Sequence, residues 1–80
     1  MGVVVITGAT AGLGKATALR FARAGFNVGI IARDDHSLAV AREEVARHGV
    51  KCHTVNADVA DAQAIMTAAQ EMEQHLGSID

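Results

Sequence analysis

The residues with the clearest chemical potential are three glycines that follow a short apolar run near the start of the chain. Residues 3–6 read VVVI, and Gly8, Gly12 and Gly14 come soon after, in front of an alanine-rich stretch. A β-branched run of this kind predicts a strand buried on both faces. A strand, a glycine turn and a helix place backbone N–H groups and the positive end of a helix dipole at one point, which suits a phosphate. Glycine fits such a turn because it tolerates positive φ and lets a ligand approach closely.

Composition and charge exclude several classes of protein. The 80 residues carry a formal net charge of −2, with both signs dispersed, so neither nucleic acid nor an anionic membrane surface is a predicted partner. The single cysteine, Cys52, has no partner for an internal disulfide, which favours a reducing compartment. No apolar run is long enough to span a membrane, and the N-terminus lacks the pattern of a signal peptide. We therefore expect a cytoplasmic protein with at most one domain.

Apolar periodicity and turn residues predict alternating strands and helices. The strands are expected at residues 3–6, 27–32 and 50–57, with helices at 12–24, from Asp34 or Asp35 to about 48, and from Asp61 to Gly77. The predicted apolar side of the first helix comprises Leu13, Ala16, Ala18, Phe21 and Ala22. This order predicts an α/β fold, a Rossmann-type doubly wound parallel sheet with strand order 3-2-1.

The predicted sheet places its most apolar strand at an edge. An exposed hydrophobic edge is an aggregation hazard. We therefore expect residues 1–80 to be the N-terminal part of a dinucleotide-binding domain, with the fourth strand onward and any catalytic half lying outside this sequence or supplied by another chain. The alternative is a complete small α/β protein that dimerises through its first strand.

Two motifs resemble one known family. Residues 7–14, TGATAGLG, are similar to the T-G-x-x-x-G-[IL]-G cofactor motif of the short-chain dehydrogenase/reductase family. Residues 56–59, NADV, resemble that family's N-x-D-V adenine-binding element, and the resemblance covers essentially all 80 residues. It implies a nicotinamide dinucleotide cofactor and hydride transfer to or from a small carbonyl or alcohol substrate in the full-length form.

The resemblance also implies which residues hold the cofactor. Gly8 would permit the sharp turn, Gly12 the approach of the pyrophosphate, and Gly14 the packing of helix on strand. Asp58 would accept a hydrogen bond from the adenine amino group. The complete predicted cofactor-binding set is Gly8, Thr10, Ala11, Gly12, Leu13, Gly14, Arg33, Asp58 and Val59.

The end of the second predicted strand bears on the choice of cofactor. Ala32 stands where the family's NAD-binding members carry an acidic residue, and Arg33 follows it. A guanidinium can hold a 2′-phosphate by two hydrogen bonds, so NADP(H) is favoured over NAD(H). Ala11, where many NADP-dependent relatives carry a basic or hydroxyl residue, and the nearby Asp34 and Asp35 argue the other way.

The sequence supports a nucleotide-hydrolase loop or a metal site less well than a dinucleotide site. Residues 9–16, ATAGLGKA, miss the nucleotide-hydrolase pattern G-x-x-x-x-G-K-[ST] at both ends, so Lys15 is predicted to be a solvated helix residue. The histidines fall on different predicted elements and no metal site is predicted; they are His36, His48, His53 and His75.

Catalytic residues are not predicted within the chain. The family uses a Ser and a Tyr-x-x-x-Lys pair, whereas this sequence contains no tyrosine. The favoured hypothesis is the cofactor-binding half of an NADP(H)-dependent oxidoreductase, inactive as 80 residues alone and acting as a homo-oligomer or with a complementing chain. The alternative is a non-catalytic module that binds a dinucleotide or pairs with a partner through its open sheet edge.

Overall fold

The computed structural model describes residues 2–8 and 12–79, and it has the predicted alternation of strands and helices. The elements in this part of the chain are β1 (Val3–Thr7), α1 (Gly12–Arg23), β2 (Asn27–Ala32), α2 (Asp35–Ala46), β3 (Cys52–Asn56) and α3 (Ala62–Leu76). The bounds of β2 are those predicted, while β3 is shorter than the predicted 50–57. Within the described residues, no helix has both the length and the apolar character needed to cross a bilayer.

Parallel pairing on both sides of β2 builds the sheet. The strand order in the described chain is β1-β2-β3, which is the predicted order 3-2-1 read from the other edge. Val28 of β2 lies opposite Val4 on one side and Cys52 on the other. Both faces of β1 pack against a core, as predicted, with Val4 and Ile6 on one face and Val3 and Val5 on the other. In the described chain Val3 alone in β1 is fully buried, because β1 lies at an edge of the sheet.

Helices cover both faces of the sheet, as the doubly wound prediction requires. Ile30 belongs to a core that faces α1 and α2, whereas the next residue, Ile31, belongs to a core that faces α3. This alternation follows from the pleat of a strand, in which successive side chains point to opposite faces. The first core also contains Ala18, Ala22, Val28, Leu38, Ala41 and Val45. The second also contains Val3, Ala57, Ala68, Met72 and Leu76.

The apolar side of α1 is narrower than predicted. Ala18 and Ala22, one turn apart, are buried, but Leu13, Ala16 and Phe21 are exposed. The predicted set followed hydrophobicity alone, whereas α1 packs through its small alanines. Phe21 instead meets Phe26 edge-on, with ring centroids 5.3 Å apart.

Side-chain caps begin the two later helices where the sequence predicted them. The carboxylate of Asp61 accepts the N–H groups of Gln63 and Ala64 at 3.1 and 3.2 Å. Asp34, rather than Asp35, is the N-cap residue of α2. Both caps satisfy N–H groups that a helix cannot satisfy internally.

Gly29 in the central strand tests how closely α3 packs on the sheet. A Cβ built on Gly29 would lie 2.5 Å from Sδ of Met72, whose side chain is fully buried. Gly29→Ala is therefore expected to lower the free energy of unfolding by about 1–3 kcal/mol, the usual cost of overpacking. Denaturant unfolding of the intact protein measures it. In a Met72→Val background the same substitution should cost less, and an equal cost in both backgrounds would contradict the packing described.

Candidate functional site

The carboxyl ends of all three described strands lie at the same end of the sheet. Gly8 follows β1, Arg33 follows β2, and Asp58 lies two residues beyond β3. The Gly8 N–H donates to the carbonyl of Ile31 at 2.8 Å, and Arg33 Nη1 lies 3.6 Å from Asp58 Oδ2. Three of the predicted site residues therefore lie near one another, as parallel pairing requires.

The turn between β1 and α1 uses glycine backbone geometry. Gly8 has φ +69° and Gly12 has φ +60°, the left-handed region that disfavours residues with a Cβ. A Cβ on either residue would meet no heavy atom of the described chain within 4 Å. Among the described residues, none therefore fills the space beside either glycine. The predicted site residues Thr10 and Ala11 lie outside the described residues.

The start of α1 supplies the electrostatics of an anion site. The helix begins at Gly12, and its first turn contains no acidic residue. Its first N–H groups have no partner within the helix, and they form the positive end of the helix dipole. Leu13 is 85% exposed and Gly14 is half-buried. A phosphate group suits this arrangement.

Arg33 and Asp58 form an exposed ion pair. One carboxylate oxygen of Asp58 accepts the Ala60 N–H at 2.9 Å, while the other faces the guanidinium of Arg33. The Arg33 side chain is 74% exposed. Because exposed ion pairs contribute only about 0–1 kcal/mol, the guanidinium can exchange this partner for a phosphate at little cost.

The two aspartates that follow Arg33 are engaged by donors of the protein. Asp34 accepts the Ser37 hydroxyl at 2.6 Å and the His36 N–H at 3.1 Å. These hydrogen bonds, the Ser37 one foremost, hold the pKa of Asp34 below its ordinary value. Asp35 accepts from Asn56 Nδ2 at 2.9 Å. Both carboxylates thus have hydrogen-bond partners within the protein.

Asn56 has a positioning role that the sequence motif did not reveal. Its amide nitrogen also lies 3.4 Å from the carbonyl of Arg33, so one side chain ties the end of β3 to the segment after β2. Strand register explains this contact, because Asn56 lies opposite Ala32, the residue before Arg33. Register is a property of the folded sheet, so the motif alone could not show it.

Lys15 is not the solvated residue that the sequence predicted. Its ammonium lies 2.6 Å from Glu44 Oε1 of α2, and both side chains are only 29% exposed. This ion pair links α1 to α2.

Cys52 is not a candidate nucleophile. Burial raises the pKa of its thiol to about 11, so the thiol is protonated at neutral pH. It packs against the core on the α2 side as a small apolar residue.

A cluster that sequence reasoning missed lies on the other face of β3. His53 contacts Glu71 and stacks on His75 of α3. The prediction of no metal site rested on the separation of the histidines along the chain. The spacing of Glu71 and His75, four residues apart on one helix, was the available signal.

Comparison with known proteins points to one family. A curated relative, the uncharacterized oxidoreductase YhdF of Bacillus subtilis, is 34% identical over 79 residues, which is 98% of this chain and 27% of the relative. Among solved structures, L-sorbose reductase from Gluconobacter frateurii, complexed with NADPH and L-sorbose, matches at 30% identity with a TM-score of 0.91, over 98% of this chain and 30% of that one. An NAD⁺-bound xylitol dehydrogenase matches at 29% identity and a TM-score of 0.94, over 99% and 30%.

The chain thus spans less than a third of the length of each of these proteins. The family model of the short chain dehydrogenases matches residues 2–80. The glycine turn, the element order and this match agree. The chain belongs to the short-chain dehydrogenase family.

Proposed function

We propose that the chain is the cofactor-binding part of an NADP(H)-dependent oxidoreductase that moves a hydride between the nicotinamide and a carbonyl or alcohol substrate. One observation carries the proposal. The glycine turn, the start of α1, Arg33 and Asp58 all lie at the carboxyl ends of the parallel strands, where ligands of open α/β sheets bind. The NADPH and NAD⁺ held by the two structural relatives support a nicotinamide dinucleotide.

The open space at Gly12 fits the bound cofactor. A pyrophosphate can approach the backbone at Gly12 because no side chain of the described residues fills that space. The N–H groups of the first turn of α1 then face its negative charge. The cofactor, when bound, supplies the hydride acceptor or donor, and the residues of this chain bind and orient it.

Asp58 and Val59 are assigned to the adenine end. The Ala60 N–H donates a hydrogen bond to Asp58 Oδ1 and so fixes the orientation of the carboxylate. In this orientation Asp58 is assigned to accept a hydrogen bond from the adenine amino group. Val59 is 59% exposed, so its backbone and its apolar side chain are both open to a ligand.

Arg33 favours NADP(H). No carboxylate occupies position 32, and among the described residues the guanidinium has one ion-pair partner, Asp58 at 3.6 Å. A 2′-phosphate offers a second charge and a bidentate geometry that Arg33 can match. The relatives include holders of both cofactors, so the preference rests on Arg33 and on the engagement of Asp34 and Asp35 elsewhere.

The acid/base step is assigned to residues outside this sequence. Proton transfer needs a group within hydrogen-bonding reach of the moving proton, and the family's tyrosine is absent from these 80 residues. We propose that the 80 residues alone do not turn over substrate and that the intact protein is cytoplasmic.

A second candidate function is a non-catalytic module. Within the described chain, β1 pairs with a strand on one side only. Another chain, including a second copy, could pair with its other side. Turnover of carbonyl substrates by the intact protein would exclude this candidate.

Arg33→Ala tests the choice of cofactor. Loss of a charge-assisted bidentate contact should weaken NADPH binding by about 10–100-fold and change NADH binding by less than about threefold. Fluorescence titration of the intact protein with each nucleotide measures both. Arg47→Ala, at the C-terminal end of α2, is the matched control and should change neither. Equal losses for both nucleotides would remove the assigned role of Arg33.

Gly12→Ala tests the pyrophosphate site. The new Cβ strains a backbone at φ +60° and projects into the open space, so binding of NADPH and NADH should fall together by at least about tenfold. Gly49→Ala is the matched control, because Gly49 has φ +81° and equally open surroundings but follows α2. It should lower stability without weakening either nucleotide. Similar nucleotide losses in both variants would show a general folding effect instead.

A further inference from the structure

Three side chains with metal-binding atoms meet between β3 and α3. His53 Nε2 lies 2.9 Å from Glu71 Oε1, and the rings of His53 and His75 stack with centroids 4.0 Å apart and planes 13° apart. One ligand atom from each of the three lies within 4.8 Å of the other two. In residues 2–8 and 12–79, this is the one group of three or more His, Cys, Asp or Glu side chains that meet in this way.

The cluster is separate from the proposed nucleotide site. His53 is the second residue of β3, so it lies near the amino end of that strand, whereas Arg33 and Asp58 follow the carboxyl ends of theirs. It also faces α3, whereas Cys52 packs on the α2 side. The proposed function uses none of the three residues.

We propose that His53, Glu71 and His75 form a binding site for a divalent transition-metal ion of the zinc type. Two imidazoles and one carboxylate suit zinc and its neighbours better than magnesium or calcium, which prefer oxygen ligands alone. Three protein ligands leave a fourth position for water or another ligand.

Local structure fixes part of the geometry. Glu71 and His75 are four residues apart on α3, so they share one helix face, and the β3 backbone presents His53 to that face. Neighbouring ligands of a tetrahedral zinc lie about 3.4 Å apart at bond lengths of about 2.1 Å. The observed separations, from 2.9 Å to at most 4.8 Å, bracket that value. The nitrogen lone pairs of two stacked rings do not converge on one ion, so zinc binding requires His75 to rotate out of the stack. His75 is exposed, and its side chain is the one expected to make this rotation.

The competing account is a hydrogen bond and a ring stack with no metal. His53 and Glu71 are hydrogen-bonded at 2.9 Å, and the rings of His53 and His75 stack. These contacts hold the side chains together without an ion, and they predict no selective affinity for zinc. The two accounts therefore differ in a measurable way.

Zinc titration of the intact, tag-free and chelator-treated protein is the test. Calorimetry should show one equivalent of Zn²⁺ bound per chain, with a rise in Tm. His75→Gln and Glu71→Gln should each weaken that binding by at least about tenfold, because even changes outside the ligand set cost 10–100-fold. His48→Gln, an exposed histidine at the end of α2, is the matched control and should leave it unchanged.

Zinc stoichiometry and Co²⁺ absorption distinguish the two accounts of the cluster. Absence of stoichiometric zinc binding, or binding that both ligand variants retain, would overturn the proposal and leave the hydrogen bond and the ring stack as the account of the cluster. Visible absorption of bound Co²⁺, lost in both ligand variants and kept in His48→Gln, would support it independently of stability. NADPH titration of the same variants should be unchanged, so failure here is distinct from failure of the proposed nucleotide site.

Discussion

Parallel pairing of β1 and β3 with the central strand β2 is the constraint on which the rest of the structure depends. It aligns the carboxyl ends of the strands at one end of the sheet, so that residues 25 positions apart in sequence, Arg33 and Asp58, form an ion pair. It also fixes where α1 must begin, because a crossover helix has to return over the sheet from that end. The proposed anion site therefore depends on the topology of the sheet more than on any single side chain.

The two faces of the sheet carry different chemistry. The face under α1 and α2 is closed by aliphatic side chains and by the Lys15–Glu44 ion pair. The face under α3 is closed by a second apolar core, with the cluster of His53, Glu71 and His75 at its margin. Successive side chains of a strand point to opposite faces of the sheet. Cys52 therefore packs on the α2 side, whereas the adjacent His53 contacts Glu71 of α3.

Much of the fold could be predicted from the sequence because local signals were strong. The glycines at positions 25, 49 and 77 all have positive φ, and they follow helices as expected. Asp61 caps α3 as predicted because its side chain reaches two N–H groups of the first turn. The positions of Gly8, Gly12 and Asp58 could be predicted because two motifs mark strand ends, and that of Arg33 because it follows the second predicted strand.

The missed features depend on tertiary contacts. The exposure of Leu13 could not be read from hydrophobicity, because it depends on how α1 rotates to seat Ala18 and Ala22. The meeting of His53 with Glu71 and His75 depends on how α3 lies across β3. The engagement of Asp35 by Asn56 depends on strand register. In each case the partner is distant in sequence, and no local pattern specifies it.

We propose that backbone N–H groups at the start of α1 hold the bridging phosphates of a dinucleotide. The most direct measurement is an NMR titration of the isotope-labelled intact protein with NADP⁺, following each backbone amide. The account predicts the largest changes at Gly12, Leu13 and Gly14, with further changes at Arg33 and Asp58. Saturable binding that leaves the amides of residues 12–14 unchanged would contradict it.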